Sequence, residues 1–186
     1  MYLDIRKVET ISSLGGGPIG AGWAAHFLSK GYKVKSYIHD KSEKSIYESI
    51  IKTAWTSLKE IGLDKSASLN NLLISADLNE VIEGTQFVQE SIPENLTLKC
   101  ELYKTLGHLV PEEVVIASST SGLTMTEIQK LCSTPERTVI GHPFNPPYLL
   151  PLVEIVGGKK TSELAVKWAY NFYKNAGKEP LALKKE

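Results

Sequence analysis

The sequence predicts an α/β fold, a doubly wound and mostly parallel sheet with helices on both faces. Three observations carry that prediction. Short β-type runs alternate with helical periodicity along the chain, with no internal repeat and no low-complexity tract. The run Val114-Val115-Ile116-Ala117 is apolar at every position, as in a strand covered on both faces. A glycine-rich turn, Gly15-Gly16-Gly17-Pro18-Ile19-Gly20, joins the first strand to the first helix in G-x-G-x-x-G spacing. Together these describe the Rossmann type of sheet.

The first strand is read over 8–14, although Glu9, Ser12 and Ser13 make it unusually polar. A helical pattern over 19–29 follows, ended by Gly31, and residues 34–38 form the second strand. The second helix starts near Ser42-Glu43 and closes at Gly62; Ile46, Ile50, Ala54, Leu58 and Ile61 recur at helical spacing and predict its core face. A loop over 64–71 leads to a strand over 72–75, and Asp77 caps a short helix ending at Gly84. Residues 87–90 make the next strand and 95–109 a helix with Leu98, Leu102 and Leu106 stacked at i, i+4. After the apolar strand at 114–117 come a loop over 118–122, a short helix over 124–131 and a sixth strand at 138–140. A proline-rich loop over 143–151 precedes a strand at 152–156. A helix over 161–176 buries Ala165, Trp168, Ala169 and Phe172, and 179–183 reads as a last edge strand.

Composition narrows the function. The chain of 186 residues carries 21 basic and 21 acidic side chains, net zero, in no long block of like charge. That argues against nucleic acid and against a membrane surface. No apolar run is long enough to span a bilayer, and the N-terminal residues lack the apolar centre of a signal peptide. Cys100 and Cys132 have no motif spacing and are read as reduced, half-buried thiols, which points to a cytoplasmic protein. Neither C-x-x-C nor H-E-x-x-H occurs, so no metal is expected.

The glycines point to a dinucleotide. Gly15 permits the tight turn, Gly17 lets backbone approach a pyrophosphate, and Gly20 lets helix pack close on strand. Pro18 suits the first helical turn, where its missing N–H costs little, and Ile19 begins the helical pattern behind it. The free amides and positive dipole end of that helix then face the phosphates. A plain glycine-rich turn is the competing reading. Asp40 lies near the end of the second strand, about 20 residues past the motif, where an acid binds the adenosine ribose and favours NAD over NADP. The same Asp40 is equally placed to cap a helix ahead of Lys41-Ser42, and His39, Lys41 and Lys44 nearby keep NADP open.

Four polar stretches fall at strand ends on one rim: 15–20, 90–95, 118–121 and His142. His142 directly follows a buried strand in Gly141-His142-Pro143-Phe144-Asn145-Pro146-Pro147, and Glu154 lies on the adjoining run. A carboxylate beside an imidazole fixes its tautomer and stabilises the imidazolium, which suits a general base. Glu154 also reads as an ordinary edge-strand acid. Ser121 is placed to hydrogen-bond a substrate oxygen, in competition with Ser118, Ser119 and Thr120, and no G-x-S-x-G elbow marks a hydrolase.

These stretches together resemble the 3-hydroxyacyl-CoA dehydrogenase superfamily in its NAD-binding domain, over essentially the whole chain. They are 15–22, Phe87-Val88-Gln89-Glu90-Ser91-Ile92-Pro93-Glu94-Asn95-Leu96, Ala117-Ser118-Ser119-Thr120-Ser121-Gly122 and Gly141-His142-Pro143-Phe144-Asn145-Pro146 through Pro151-Leu152-Val153-Glu154. The likeness is greatest to the carnitine 3-dehydrogenase branch. It implies His142 as base with Glu154 as its partner, Ser121 at the substrate oxygen, and Glu94 and Lys99 along the nicotinamide half of NAD. The implied reaction is reversible hydride transfer from C3 of a small 3-hydroxy acid to NAD, with 3-hydroxyacyl-CoA and L-gulonate as alternative substrates. The family's CoA enzymes usually carry His-Phe-Phe-Asn-Pro and Ser-Asn-Thr-Ser-Ser; here Pro143 and Ser119 replace the second-position Phe and the Asn, which leans toward a free acid. Ile38 falls where the family's ribose-binding Asp is usual, two residues before Asp40. The family continues into a helical C-terminal domain that closes the substrate pocket and makes a homodimer. Residues 1–186 are accordingly expected to form the NAD-binding Rossmann domain without it, and a non-catalytic NAD-binding module is the alternative of another class.

Overall fold

Alternation of strand and helix along the chain produces one eight-stranded sheet in the computed structural model, which describes residues 1–186. Its strands are β1 (Thr10–Leu14), β2 (Lys33–Tyr37), β3 (Leu72–Ser75), β4 (Phe87–Glu90), β5 (Ile116–Ser118), β6 (Thr138–Pro143), β7 (Leu152–Gly157) and β8 (Glu179–Ala182). Between them lie helices α1 (Pro18–Ser29), α2 (Lys44–Ile61), α3 (Leu78–Ile82), α4 (Leu96–Leu109), α5 (Met125–Ile128) and α6 (Glu163–Asn175). The strand order is β3-β2-β1-β4-β5-β6-β7-β8, and every neighbouring pair is parallel except β6 with β7. The chain winds outward from β1 to β3 and then returns to the other side of β1. The switch point therefore lies between β1 and β4, where open sheets of this kind bind ligands.

Successive strand residues feed opposite faces. Ile11, Phe87, Val115 and Ala117 join the larger apolar cluster, with α1, α2 and α6. Leu14, Val88 and Ile116 join the smaller one, with α4 and α5. The sheet is thus covered on both sides, as the alternating sequence predicts. No helix is long and apolar enough to cross a membrane. Cys132 is buried, more deeply than expected, and Cys100 is half-buried; both are free.

Several boundaries differ from the sequence reading. β1 begins at Thr10, because Val8 closes a 3-10 turn by donating its N–H to the Ile5 carbonyl, and Glu9 N–H is taken by the Gln86 side chain. The polar residues of β1 are satisfied inside: Ser12 Oγ donates to the Val81 carbonyl at 2.7 Å, and Ser13 Oγ donates to the Gly20 carbonyl at 3.1 Å. β6 runs on to Pro143, so His142 lies within a strand and not after one.

The core faces of two helices are also rotated from the expectation. On α2 the buried residues are Tyr47, Ile51, Ala54, Trp55 and Leu58, whereas Ile46 is 65% exposed and Ile61 is 64% exposed. On α4 the buried residues are Lys99, Tyr103, Leu106 and Gly107, and Leu98 is 51% exposed. Both helices carry a second apolar stripe at the margin of the core, where Ile50 and Leu102 are partly buried against it while Ile46 and Leu98 are exposed. By contrast, Ala165, Trp168, Ala169 and Phe172 of α6 are all buried as read, and β8 is the edge strand.

Candidate active site

Two of the three motif glycines are fixed by close backbone contacts. Gly15 has φ +129°, and a Cβ there would lie 2.4 Å from the Ser91 carbonyl oxygen on the neighbouring strand's exit. A Cβ on Gly20 would lie 2.1 Å from the Gly15 carbonyl oxygen. Those two glycines are demanded by the fold itself. Gly17 is different: it has φ −82° and ψ 179°, open to any residue, and a Cβ there would meet no protein atom within 4 Å. Its side-chain position opens on a cleft, and α1 starts beside it without any side-chain cap. Uncapped helix amides facing open space are an anion site in waiting. The cleft, about 960 Å³, has Gly15, Gly17, Pro18 and Ile19 on its wall. Its size and mixed lining fit a cofactor.

One end of the cleft lies between β2 and α2. Tyr37, His39 and Glu43 line it, together with Ile46 and Ile50; Leu98 and Leu102 of α4 line the same cleft. The second apolar stripes of α2 and α4 therefore end on the cleft wall. Asp40 does not line it. Its exposed carboxylate accepts the Ser42 N–H at 2.8 Å and caps the 3-10 turn Lys41–Glu43. The Ser42 backbone and hydroxyl hold that carboxyl below its usual pKa. The capping alternative describes where Asp40 sits.

The other end is organised by acids. Glu90, fully buried at the end of β4, accepts Ser118 Oγ at 2.5 Å, Lys99 Nζ at 2.6 Å and Ile92 N–H at 2.7 Å. Lys99 is buried with it and lies 3.6 Å from Glu94 Oε2. Glu94 in turn accepts three donors from the loop after β5: the Thr120 hydroxyl, the Ser121 N–H at 3.2 Å and the Gly122 N–H at 3.1 Å. Burial pushes the Glu94 carboxyl up, but the Thr120 and Gly122 bonds, the Lys99 charge and the Ser121 bond outweigh it and leave it lowered. Ser119 is a hub on the same loop. Its Oγ accepts Trp23 Nε1 at 3.1 Å and Gln89 Nε2 at 2.9 Å, and lies 2.8 Å from Ser91 Oγ. Lys99, Glu94, Ser119 and Ser121 all reach the cleft wall.

The antiparallel step from β6 to β7 places His142 directly opposite Glu154 in register. His142 Nδ1 is 3.0 Å from Glu154 Oε2, with both side chains partly exposed. A carboxylate only accepts, so in the neutral imidazole Nδ1 carries the hydrogen and Nε2 keeps its lone pair. The pair lines a smaller cavity of about 160 Å³ with Thr120 and Ser121. Ser121 lines both this cavity and the large cleft. The four rim stretches read from the sequence therefore meet through Ser121.

Residues 10–186 match the family model described as 3-hydroxyacyl-CoA dehydrogenase, NAD binding domain. The chain belongs to the 3-hydroxyacyl-CoA dehydrogenase family. Within it, the chain is 46% identical over 181 residues to the L-carnitine dehydrogenase of Nocardiopsis dassonvillei, covering 97% of this chain and 55% of that protein. Among solved structures it is similar to an NAD+-dependent dismutase, 5-formyl-3-hydroxy-2-methylpyridine 4-carboxylic acid 5-dehydrogenase. That match has TM-score 0.89 and 30% identity, over 96% of this chain and 58% of that one. It is also similar to (S)-3-hydroxybutyryl-CoA dehydrogenase of Ralstonia eutropha, with TM-score 0.88 and 26% identity, over 97% of this chain and 65% of that one. The chain spans just over half the length of the curated relatives it matches.

In this 3-hydroxyacyl-CoA dehydrogenase domain the sequence reading did not single out Tyr37, Glu43, Ile46, Ile50, Leu98 or Leu102 as cleft residues. The signal was present as surplus. α2 and α4 each carry more apolar positions than one core face can hold, and a second stripe needs a second apolar surface. Ser119, in the sequence a competitor of Ser121 and a departure from the usual Asn, instead has three polar neighbours that give it a role in holding the loop.

Proposed function

We propose that this domain serves an NAD-dependent 3-hydroxy-acid dehydrogenase of the carnitine type, oxidising carnitine to 3-dehydrocarnitine. The observation that carries the reading is the His142–Glu154 pair opening on a cavity that shares Ser121 with the glycine cleft. NAD, when bound, supplies the acceptor for the hydride leaving C3 of the substrate. Gly15, Gly17, Pro18 and Ile19 would hold its pyrophosphate over the turn that Gly20 lets close, and Glu94 and Lys99 would border its nicotinamide half. His142 Nε2 takes the hydroxyl proton as the C3 carbonyl forms and returns it in the reverse direction. Glu154 orients the ring and stabilises the imidazolium. Ser121 donates a hydrogen bond to the substrate oxygen. The likeness to carnitine dehydrogenases favours a free acid over an acyl-CoA, as does Pro143 after the histidine.

A second reading, an NAD-binding module without turnover of its own, rests on the glycine cleft alone. Two measurements on the purified chain separate them: NAD binding by calorimetry, and NADH formation with carnitine, 3-hydroxybutyryl-CoA or L-gulonate. NADH from carnitine alone supports the first reading. Binding without NADH formation from any of the three supports the second.

A further inference from the structure

The G-x-G-x-x-G motif and the spacing after it select Asp40 as the ribose acid. The structure brings a different acid to the cleft. Asp40 is exposed, turned to its own 3-10 turn, and its carboxylate is occupied by the Ser42 N–H. Ile38, the residue after β2, is buried at 1% exposure and offers no polar side chain. Glu43, one turn further on, lines the cleft beside Tyr37 and His39. Its carboxylate reaches over the glycine turn: a Cβ on Gly16 would lie 2.4 Å from Glu43 Oε2. No ion pair in the chain engages that carboxylate. Of the other acidic and basic side chains on the cleft wall, Glu94 and Lys99 lie 3.6 Å from each other, and His39 stands on the same stretch as Glu43.

We infer that Glu43, and not Asp40, is the residue that selects the cofactor's adenosine ribose, accepting its hydroxyls and rejecting a 2′-phosphate. The glycine turn fixes the pyrophosphate at α1. The adenosine half then runs toward β2 and α2, where the paired stripes Ile46/Ile50 and Leu98/Leu102 give the base two apolar walls. A ribose between the base and the phosphates lies beside Gly16, where the Glu43 carboxylate stands. A 2′-phosphate there meets a like charge; no Lys or Arg of β2, α2 or the turn between them lines the cleft, and His39 is the one basic side chain those elements contribute. This assignment rests on the NAD reading of the cleft.

Calorimetric titration of the chain with NAD, NADP and the 2′-deoxyadenosine analogue of NAD tests it. The unmodified chain is expected to prefer NAD over both. E43Q is expected to lose about tenfold in NAD affinity, the difference between a charged and a neutral acceptor. It should also bind NADP more tightly than the unmodified chain and discriminate less against the deoxy analogue. D40N is expected to leave all three affinities unchanged. An E43Q variant with unaltered preference, or a D40N variant that loses it, overturns the assignment while leaving NAD in the cleft. A chain that binds no NAD overturns the assignment and the cofactor reading together.

Discussion

Glu154 faces His142 across an antiparallel pair, with Oε2 3.0 Å from Nδ1, so the orientation of the imidazole is set by strand register and not by a loop. This arrangement makes the tautomer a measurable quantity. In nitrogen NMR, His142 is expected to hold its proton on Nδ1 in the unmodified chain and to populate both tautomers in E154A. The His142→Ala substitution should lower turnover by about 10²–10⁴-fold while leaving NAD affinity unchanged. Loss of NAD affinity along with turnover would place His142 in the cofactor site and not at the reacting oxygen.

Gly17 and Gly20 separate binding from folding. Gly17 has ordinary backbone angles and open space at its Cβ position, so Gly17→Val should keep the thermal midpoint and abolish NAD binding. Gly20→Val drives a Cβ to 2.1 Å from the Gly15 carbonyl oxygen and should cost about 1–3 kcal/mol or more of stability. Denaturation curves and calorimetry on the same two proteins check both halves. Equal NAD binding by Gly17→Val would remove the pyrophosphate from the turn.

The sheet was legible because its signals are local. The apolar run before Ser118, the glycine turn and the single stripe of α6 each allow one reading. The faces of α2 and α4 were not. Ile46 and Ile50 have the same 3.6 period as Tyr47, Ile51 and Leu58, one residue out of phase, and periodicity does not say which of two adjacent stripes meets the sheet. Amphipathic residues add to the ambiguity: Tyr47 is core, yet its hydroxyl donates to Ser36 Oγ at 3.0 Å. The site was legible in its parts, since His142, Glu154, Ser121 and the glycines stand in recognisable stretches. Their opposition depends on the register of β6 against β7, and the choice between Asp40 and Glu43 depends on side-chain direction. Both are tertiary facts.

Lys178 gives the fold a pH dependence. It is buried beneath the loop joining β6 to β7, donates to the carbonyls of Pro147 and Leu150, and lies 5.2 Å from the Trp23 ring. Burial, with the charge of Lys30 adding, lowers its pKa from 10.5 to about 7. From pH 7 to 10.5 the unfolded chain therefore binds more protons at this site than the folded one, so stability rises with pH across that window. Urea midpoints should climb between pH 7 and 9 in the unmodified chain, and K178M should flatten that climb. His26 works in the same sense at lower pH. Burial and the Lys178 charge hold it well below 6.5 despite its bond to the Ala176 carbonyl, and its contribution is lost as pH falls below 6.5.

Glu94 stands between the two halves of the site. Its Oε1 collects the Thr120 hydroxyl and the Ser121 and Gly122 amides, while Lys99 approaches Oε2, so one carboxylate sets the loop that presents Ser121 to both cavities. Glu94→Gln retains an acceptor for the loop but removes the charge facing Lys99. Glu94→Ala removes both and leaves two amides and a hydroxyl to water. If Glu94 positions Ser121, the alanine variant should lower kcat more than it raises the KM for NAD, and glutamine should restore most of kcat. If it acts mainly on the cofactor, both variants should weaken NAD binding alike. Amide hydrogen exchange at Ser121 and Gly122 gives a readout independent of turnover: faster exchange in Glu94→Ala than in Glu94→Gln is expected. Equal exchange in both would show that the loop is held by Ser118 and Ser119 instead, through Glu90, Gln89 and Trp23.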